Sequence, residues 1–226
     1  MSLTSNAIRF TATSNPEEVT AILTKPDNAF SILVLAHGAG AGMRHPFMEK
    51  VAHFLADERI AVFRFNFPYI EKQKKYPDPP AIAMKTVQSA VTAAQNYSKG
   101  LPLFAGGKSF GGRMTSQAAA TGMLEAVKGI VFWGFPLHAP GKPSKERAVH
   151  LYEVKLPMLF LQGTHDTLAD ISLMRELGNQ LGSKATLHEV EGGDHSFHVP
   201  KSGGKDDIVL KELCRTVRDW MKLNLD

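Results

Sequence analysis

Short runs rich in apolar, β-branched and aromatic residues alternate with segments of helical period, and that alternation restricts the fold more than any other feature of this chain. The runs occupy residues 31–36, 61–67, 102–105, 129–133, 158–162 and 186–191. Most are almost continuously apolar, as strands buried on both faces are. The order therefore predicts an α/β architecture, a mostly parallel sheet with helices on both faces. Pro46 suits a first helical position, and Phe47, Met48, Val51, Phe54 and Leu55 then fall on one face of a helix. Val87, Val91 and Ala94 mark a second helix, and an alanine-rich segment opened by Gly111 and Gly112 a third. Leu173, Met174, Leu177 and Leu181 mark a fourth, ended by Gly182. Val209, Leu213, Val217, Trp220 and Met221 mark a last one, capped by Asp206 or Asp207. Residues 7–25 read as an antiparallel hairpin at the sheet edge, turning at Ser14, Asn15 and Pro16. Residues 68–80 and 134–147 read as irregular, and neither is long enough to build a cap. The expectation is one domain over residues 1–226 with no large lid.

Composition removes several functional classes. Apolar residues make up 43% of the chain and charged residues 21%, which disfavours disordered, collagenous and membrane proteins. The formal charge of +4 is scattered, and its longest basic cluster, residues 72–75, reads as a solvated loop. No basic stripe with interleaved aromatics accompanies it, so nucleic acid is not an expected partner. Cys214 is the single cysteine, which precludes an intrachain disulfide and a cysteine metal cluster; it falls in a helical pattern and reads as core. Residues 1–9 lack an apolar stretch flanked by basic residues, and no apolar run reaches membrane-spanning length. A cytoplasmic protein with no membrane partner is expected.

The chemistry concentrates at the ends of three strands. Gly107, Lys108, Ser109, Phe110 and Gly111 follow the run 102–105 and precede the alanine-rich helix, the strand–turn–helix setting of a nucleophile elbow. A serine hydroxyl is a weak nucleophile that needs a base within reach, and the base needs a third group to fix its tautomer. Asp166 follows the run 158–162 and His195 follows the run 186–191, so all three project from the C-terminal edge of one sheet. Asp170 and Asp194 compete for the acid, and His198 competes for the base. His188 lies inside a strand and His165 abuts the acid. No helical or hairpin spacing gives two histidines a common ion, so no metal is expected.

Acyl transfer also needs donors for the developing oxyanion. The backbone N–H of Phe110 is one candidate; Ala39, then Gly40, are the others, in the glycine-rich loop of residues 37–42 after the first run. That loop matches neither the dinucleotide fingerprint nor the P-loop. Met43 and Phe135 read as apolar substrate contacts, with residues 134–147 forming one wall. Lys108 and Arg113 read as solvated charges able to attract an anionic substrate.

The segments HGAGAGMRHPFM (37–48), GGKSFGGRM (106–114), FPLHAPGKPSKER (135–147), LFLQGTHD (159–166) and GGDHSF (192–197) together resemble the small dienelactone-hydrolase-like α/β-hydrolases. Within them the chain resembles the family named for a testis-expressed protein and a subunit of the nonspecific-lethal acetyltransferase complex. The resemblance implies an α/β-hydrolase fold, Ser109, Asp166 and His195 at the triad positions and residues 37–40 at the oxyanion position. Dienelactone hydrolases use cysteine where this chain has Ser109, which disfavours dienelactone as substrate. Some relatives act as scaffolds. The leading expectation is a cofactor-free serine hydrolase acting on a small-molecule acyl substrate, a carboxylic ester or related bond, through an acyl-enzyme. The alternatives are a non-catalytic interaction module and a thioesterase or peptidase.

Overall fold

A computed structural model describes residues 3–13, 17–200 and 206–225. Eight strands form one sheet: β1 (Leu3–Thr11), β2 (Glu18–Pro26), β3 (Ser31–Ala36), β4 (Ile60–Phe65), β5 (Leu103–Lys108), β6 (Val127–Trp133), β7 (Met158–Gly163) and β8 (Ala185–Val190). Their spatial order is β1-β2-β4-β3-β5-β6-β7-β8. β1 pairs antiparallel with β2 and β2 antiparallel with β4, while every pairing from β4 to β8 is parallel. The edge hairpin is therefore present; its turn at residues 14–16 lies outside the described residues.

Alternation along the strands sorts side chains to the two faces. Leu33, Leu35, Val62, Leu159 and Leu161 meet α1 (Pro46–Asp57) and α6 (Asp206–Leu223) on one side. Ile32, Val34, Phe63 and Phe65 meet α3 (Pro80–Ser98) on the other. Further along that second face, Ile130, Phe132 and Phe160 pack against α5 (Ile171–Leu181) and a 3₁₀ segment, Glu146–Glu153. Between them lies α4 (Phe110–Ala120). Cys214 is buried among the α1 and α6 side chains, as its helical position predicts.

The structure moves several boundaries. β5 continues through Gly106 and Gly107 to Lys108, and the expected strand at 61–67 ends at Phe65. Phe67 instead caps a one-turn helix, α2 (Pro68–Glu71), inside the stretch expected to be irregular. Asp206 and Asp207 both fall in the first turn of α6 rather than before it. Among the described residues, no helix is long and apolar enough to cross a membrane.

Candidate active site

Ser109 joins the end of β5 directly to α4, and its backbone sits at φ 51°, ψ −114°. A non-glycine residue there is strained by roughly 1–3 kcal/mol, which the surroundings must hold in place. They do so by close approach. A Cβ on Gly107 would lie 2.6 Å from the Ala36 carbonyl oxygen, and one on Gly111 would lie 2.5 Å from the carbonyl oxygens of both Ala36 and His37. β3 and α4 can thus meet only with glycine on both sides of the serine turn. Ser109 N–H donates to the Trp133 carbonyl at 3.3 Å, tying the turn to β6.

The acid and base loops are pressed together by a similar device. A Cβ on Gly163 would meet the Gly193 carbonyl oxygen at 2.2 Å, and His165 N–H donates to that same carbonyl at 2.9 Å. This brings the His195 ring to Asp166: Nδ1 lies 2.6 Å from Oδ2, and the Asp166 side chain is fully buried. The same carboxylate accepts from Gln162 Nε2 at 2.5 Å and from the Leu168 N–H at 2.8 Å. A carboxylate that already accepts from two donors is ionised in this setting and accepts from His195 as well. The proton then sits on Nδ1 and the Nε2 lone pair is left free. His195 Nε2 is buried and has no hydrogen-bond partner among the described residues.

His198 points elsewhere, with Nδ1 2.9 Å from the exposed Asp206 carboxylate, and its pKa is raised by that hydrogen bond. Asp194 turns the loop by accepting from the N–H groups of Ser196 and His198 at 2.7 and 2.9 Å. Asp170 accepts from Ser172 and Leu173 as the cap of α5. Both rival carboxylates therefore have local structural work, and only Asp166 meets an imidazole of the site.

A cavity of about 320 Å3 opens above these groups, lined by Ser109 and His195 and by the loop Gly38, Ala39, Gly40 and Ala41. Phe47, Met48 and Leu168 give it apolar walls. Ser109 and His195 share this space, but the hydroxyl makes no hydrogen bond to Nε2. Catalytic hydrogen bonds of this kind tighten when a substrate closes the site.

A family model described as an alpha/beta hydrolase domain matches residues 29–222. The chain belongs to that family. Solved structures share the fold at low identity. A dienelactone hydrolase from Anabaena variabilis is 19% identical with a TM-score of 0.80, covering 100% of both chains. An α/β serine hydrolase without a lid from Xanthomonas campestris is 20% identical with a TM-score of 0.72, covering 96% of this chain and 94% of its own. A cold-adapted esterase from an Arctic intertidal metagenomic library is 18% identical with a TM-score of 0.68, covering 100% of this chain and 96% of its own.

Of the three expected substrate contacts of this α/β-hydrolase, Met43 and Phe135 do not line the cavity and Lys108 does. Met43 is 3% exposed, its backbone N–H donating to Asn66 Oδ1 at 2.9 Å and its carbonyl accepting from Arg64 at 3.1 Å. Phe135 is 1% exposed and packs on Phe132 and Phe160, so residue 135 belongs to the core and residues 134–147 do not line the cavity. Lys108 does line it but is not a solvated charge. Its ammonium donates to the His195 carbonyl at 2.5 Å beside the rings of Phe47 and Phe197, and burial lowers its pKa to about 8 against the pull of Asp166 and Asp194. Arg113 is half-buried, and burial followed by the charge of Arg147 lowers its pKa.

Sequence reasoning passed over the residues that shape the glycine-rich loop of residues 37–42. His37 is fully buried; its Nε2 accepts from the Phe67 N–H at 3.1 Å, so Nδ1 carries the proton donated to the Gly38 carbonyl at 2.8 Å. Burial lowers its pKa to about 4, against the opposing pull of that Gly38 bond, which keeps it neutral. Tyr69, on α2, donates its hydroxyl to the Ala39 carbonyl at 2.7 Å. The one available signal was the position of His37 directly after a strand. Nothing in the sequence marks Tyr69.

Proposed function

We propose that the chain is a cofactor-free serine hydrolase that cleaves a carboxylic ester or a related acyl bond of a small molecule through an acyl-enzyme. The observation that carries this reading is the buried, partnerless Nε2 of an imidazole whose other nitrogen is fixed by Asp166, sharing a cavity with the strained Ser109. In this reading His195 removes the Ser109 proton as the hydroxyl attacks the acyl carbon, and Asp166 stabilises the imidazolium that results. The same imidazolium then protonates the departing alcohol, and water repeats the sequence to release the acid. The N–H of Phe110 is the first of α4 and has no intrahelical acceptor, which suits it to the oxyanion together with the N–H groups of Ala39 and Gly40.

The small cavity suits a short acyl group against Phe47, Met48 and Leu168. Among the described residues Lys108 is the one lysine or arginine that lines it and no carboxylate does, which favours neutral or anionic substrates over cations. Within the family we assign the chain to the branch named for the testis-expressed protein and the nonspecific-lethal complex subunit, on the motif at residues 135–147, and to the cytoplasm.

A fluorophosphonate probe tests the reading directly. Wild-type protein should be labelled covalently, and Ser109→Ala should lose the label while unfolding like the wild type. Folded wild type that takes no label would instead support an interaction module. Rates on matched short-chain esters, thioesters and amides, each in neutral, anionic and cationic form, then rank the bond and the charge preference.

A further inference from the structure

In the glycine-rich loop that lines the cavity, the carbonyls of Gly38 and Ala39 are fastened by buried side chains. The Gly38 carbonyl accepts from His37 Nδ1 at 2.8 Å. The Ala39 carbonyl accepts from the Tyr69 hydroxyl at 2.7 Å, while the Gly38 carbonyl is 3.3 Å from that hydroxyl. A phenol has one proton, so the shorter contact to Ala39 is its donation, and the Gly38 carbonyl is held by His37 and, at the longer distance of 3.4 Å, by the Ala41 N–H. In a trans peptide the N–H points opposite to the C=O of the same unit. Holding the Gly38 carbonyl away from the cavity therefore turns the Ala39 N–H toward it, and holding the Ala39 carbonyl away does the same for the Gly40 N–H. No cis peptide interrupts this among the described residues. The loop also abuts the nucleophile, since a Cβ on Gly38 would lie 3.9 Å from Ser109 Cβ.

Tyr69 is built to hold this position. Its ring is 1% exposed, stacked on Phe67 at 6.3 Å and tilted against His37 at 5.8 Å between centroids. Its N–H is anchored by Asp78 Oδ2 at 2.9 Å, which pins α2 itself. The hydroxyl has no other acceptor among the described contacts than the two loop carbonyls, and it touches neither Ser109 nor His195. Without a donor there, the Ala39–Gly40 peptide is free to flip, because glycine on one side of it tolerates either orientation.

We propose that Tyr69 is a positioning residue for the oxyanion site: its hydroxyl, with His37, orients the Gly38–Ala39 and Ala39–Gly40 peptides so that their N–H groups face the oxygen of the tetrahedral intermediate. The inference rests on the serine-hydrolase reading and gives a task to residues 68–80, which have none in that reading. It also distinguishes two kinds of loss. A donor aimed at the oxyanion acts in the transition state and not on the bound ester, so removing it lowers kcat and leaves KM in place.

The test is Tyr69→Phe, which removes one hydroxyl and keeps the ring, assayed on the best ester and with a methyl trifluoromethyl ketone. That ketone adds the serine and places an oxyanion in the same site. Expected are a kcat lower by about tenfold, a KM within about twofold, ketone inhibition weaker by about the same tenfold, and an unchanged pH midpoint for kcat/KM, because Tyr69 does not touch His195. An unchanged kcat in folded Tyr69→Phe would overturn the proposal. So would a rise in KM alone, or a fall in kcat with ketone affinity intact. Should that variant not fold, p-aminophenylalanine at position 69 keeps the shape with a weaker donor. It should give an intermediate kcat with ketone affinity falling in parallel, and a kcat that moves without the ketone would again refute the role. Failure of the underlying reading looks different: wild type itself would then show neither turnover nor phosphonate labelling.

Discussion

Two histidines on the loop after β8 stand in opposite electrostatic settings. His195 gives Nδ1 to a buried carboxylate and keeps Nε2 free inside the cavity, whereas His198 sits with Asp206 in water, where such a pair contributes little. His195→Ala should therefore lower kcat by a factor on the order of 10^4, and His198→Ala should leave it within about twofold. Steady-state rates on one ester decide it; the reverse ranking would mean that the base is misassigned. That Asp166 meets His195 and that His195 shares a cavity with Ser109 was legible from sequence, because the strand periodicity places each of the three at a strand end; their catalytic roles belong to the proposal. Met43, Phe135 and Lys108 show where that reasoning stops. A sequence reveals that Phe135 is apolar but not which side of the chain its ring takes, and here the ring closes a core cluster. Lys108 was read as solvated because an isolated lysine usually is. Its burial depends on the aromatic rings of Phe47 and Phe197, which lie far from it along the chain. Tyr69 was illegible for a related reason, since the carbonyl it serves is 30 residues away and its role exists only after β3 and β4 pair.

At the scale of the element, the turn from β5 into α4 works because two chain segments approach more closely than a side chain allows. Gly111 is the sharpest case: an added Cβ would meet two backbone oxygens at 2.5 Å, and backbone in the middle of a sheet cannot move aside. Gly178, inside α5, offers the contrast, with no atom within 4 Å of its virtual Cβ and no positive φ. Gly178→Ala should stabilise the protein by about 0.5–1 kcal/mol through helix propensity and the stiffer unfolded chain. Gly111→Ala should cost at least about 3 kcal/mol or prevent folding. Urea unfolding midpoints compare them, and a Gly111→Ala variant as stable as wild type would remove the packing argument for the elbow. The same closeness explains why the expected strand at 102–105 was too short. Glycine weakens a strand pattern, so Gly106 and Gly107 read as the start of the turn, although they occupy the sheet centre where Val131 and Ala36 leave no room for anything larger.

Over the whole molecule, stability should decline on mild acidification, and the buried His37 is one of two reasons, with His150. In the unfolded chain its imidazole takes a proton near pH 6.5, while in the folded protein burial holds its pKa at about 4. Between those values the unfolded state binds more protons, so its population gains as pH falls: the contribution of His37 is full above about pH 6.5 and is lost progressively toward pH 4. From pH 7 to pH 5 this amounts to about 2 kcal/mol. His150 acts in the same direction. Burial, then the charge of Arg113, lowers its pKa to about 4 against a backbone bond to Arg147, and its Nε2 lies 2.8 Å from the Ser116 hydroxyl on α4. The pair of His198 with Asp206 opposes the trend, since a raised histidine pKa contributes stability below about pH 6.5, but its exposure makes that term small. Urea unfolding of wild type at pH 7, 6 and 5 should show the decline above the range where ordinary carboxylates titrate. His37→Gln, which keeps an acceptor for the Phe67 N–H, should be less stable at pH 7 and have a shallower slope, the remainder resting with His150. A variant slope equal to that of wild type would mean that the acid sensitivity has another source. The consequence reaches the site, because the proton that charges His37 also ends its acceptance from Phe67, and the histidine that holds the Gly38 carbonyl of the cavity loop is thereby one group through which mild acid loosens the fold.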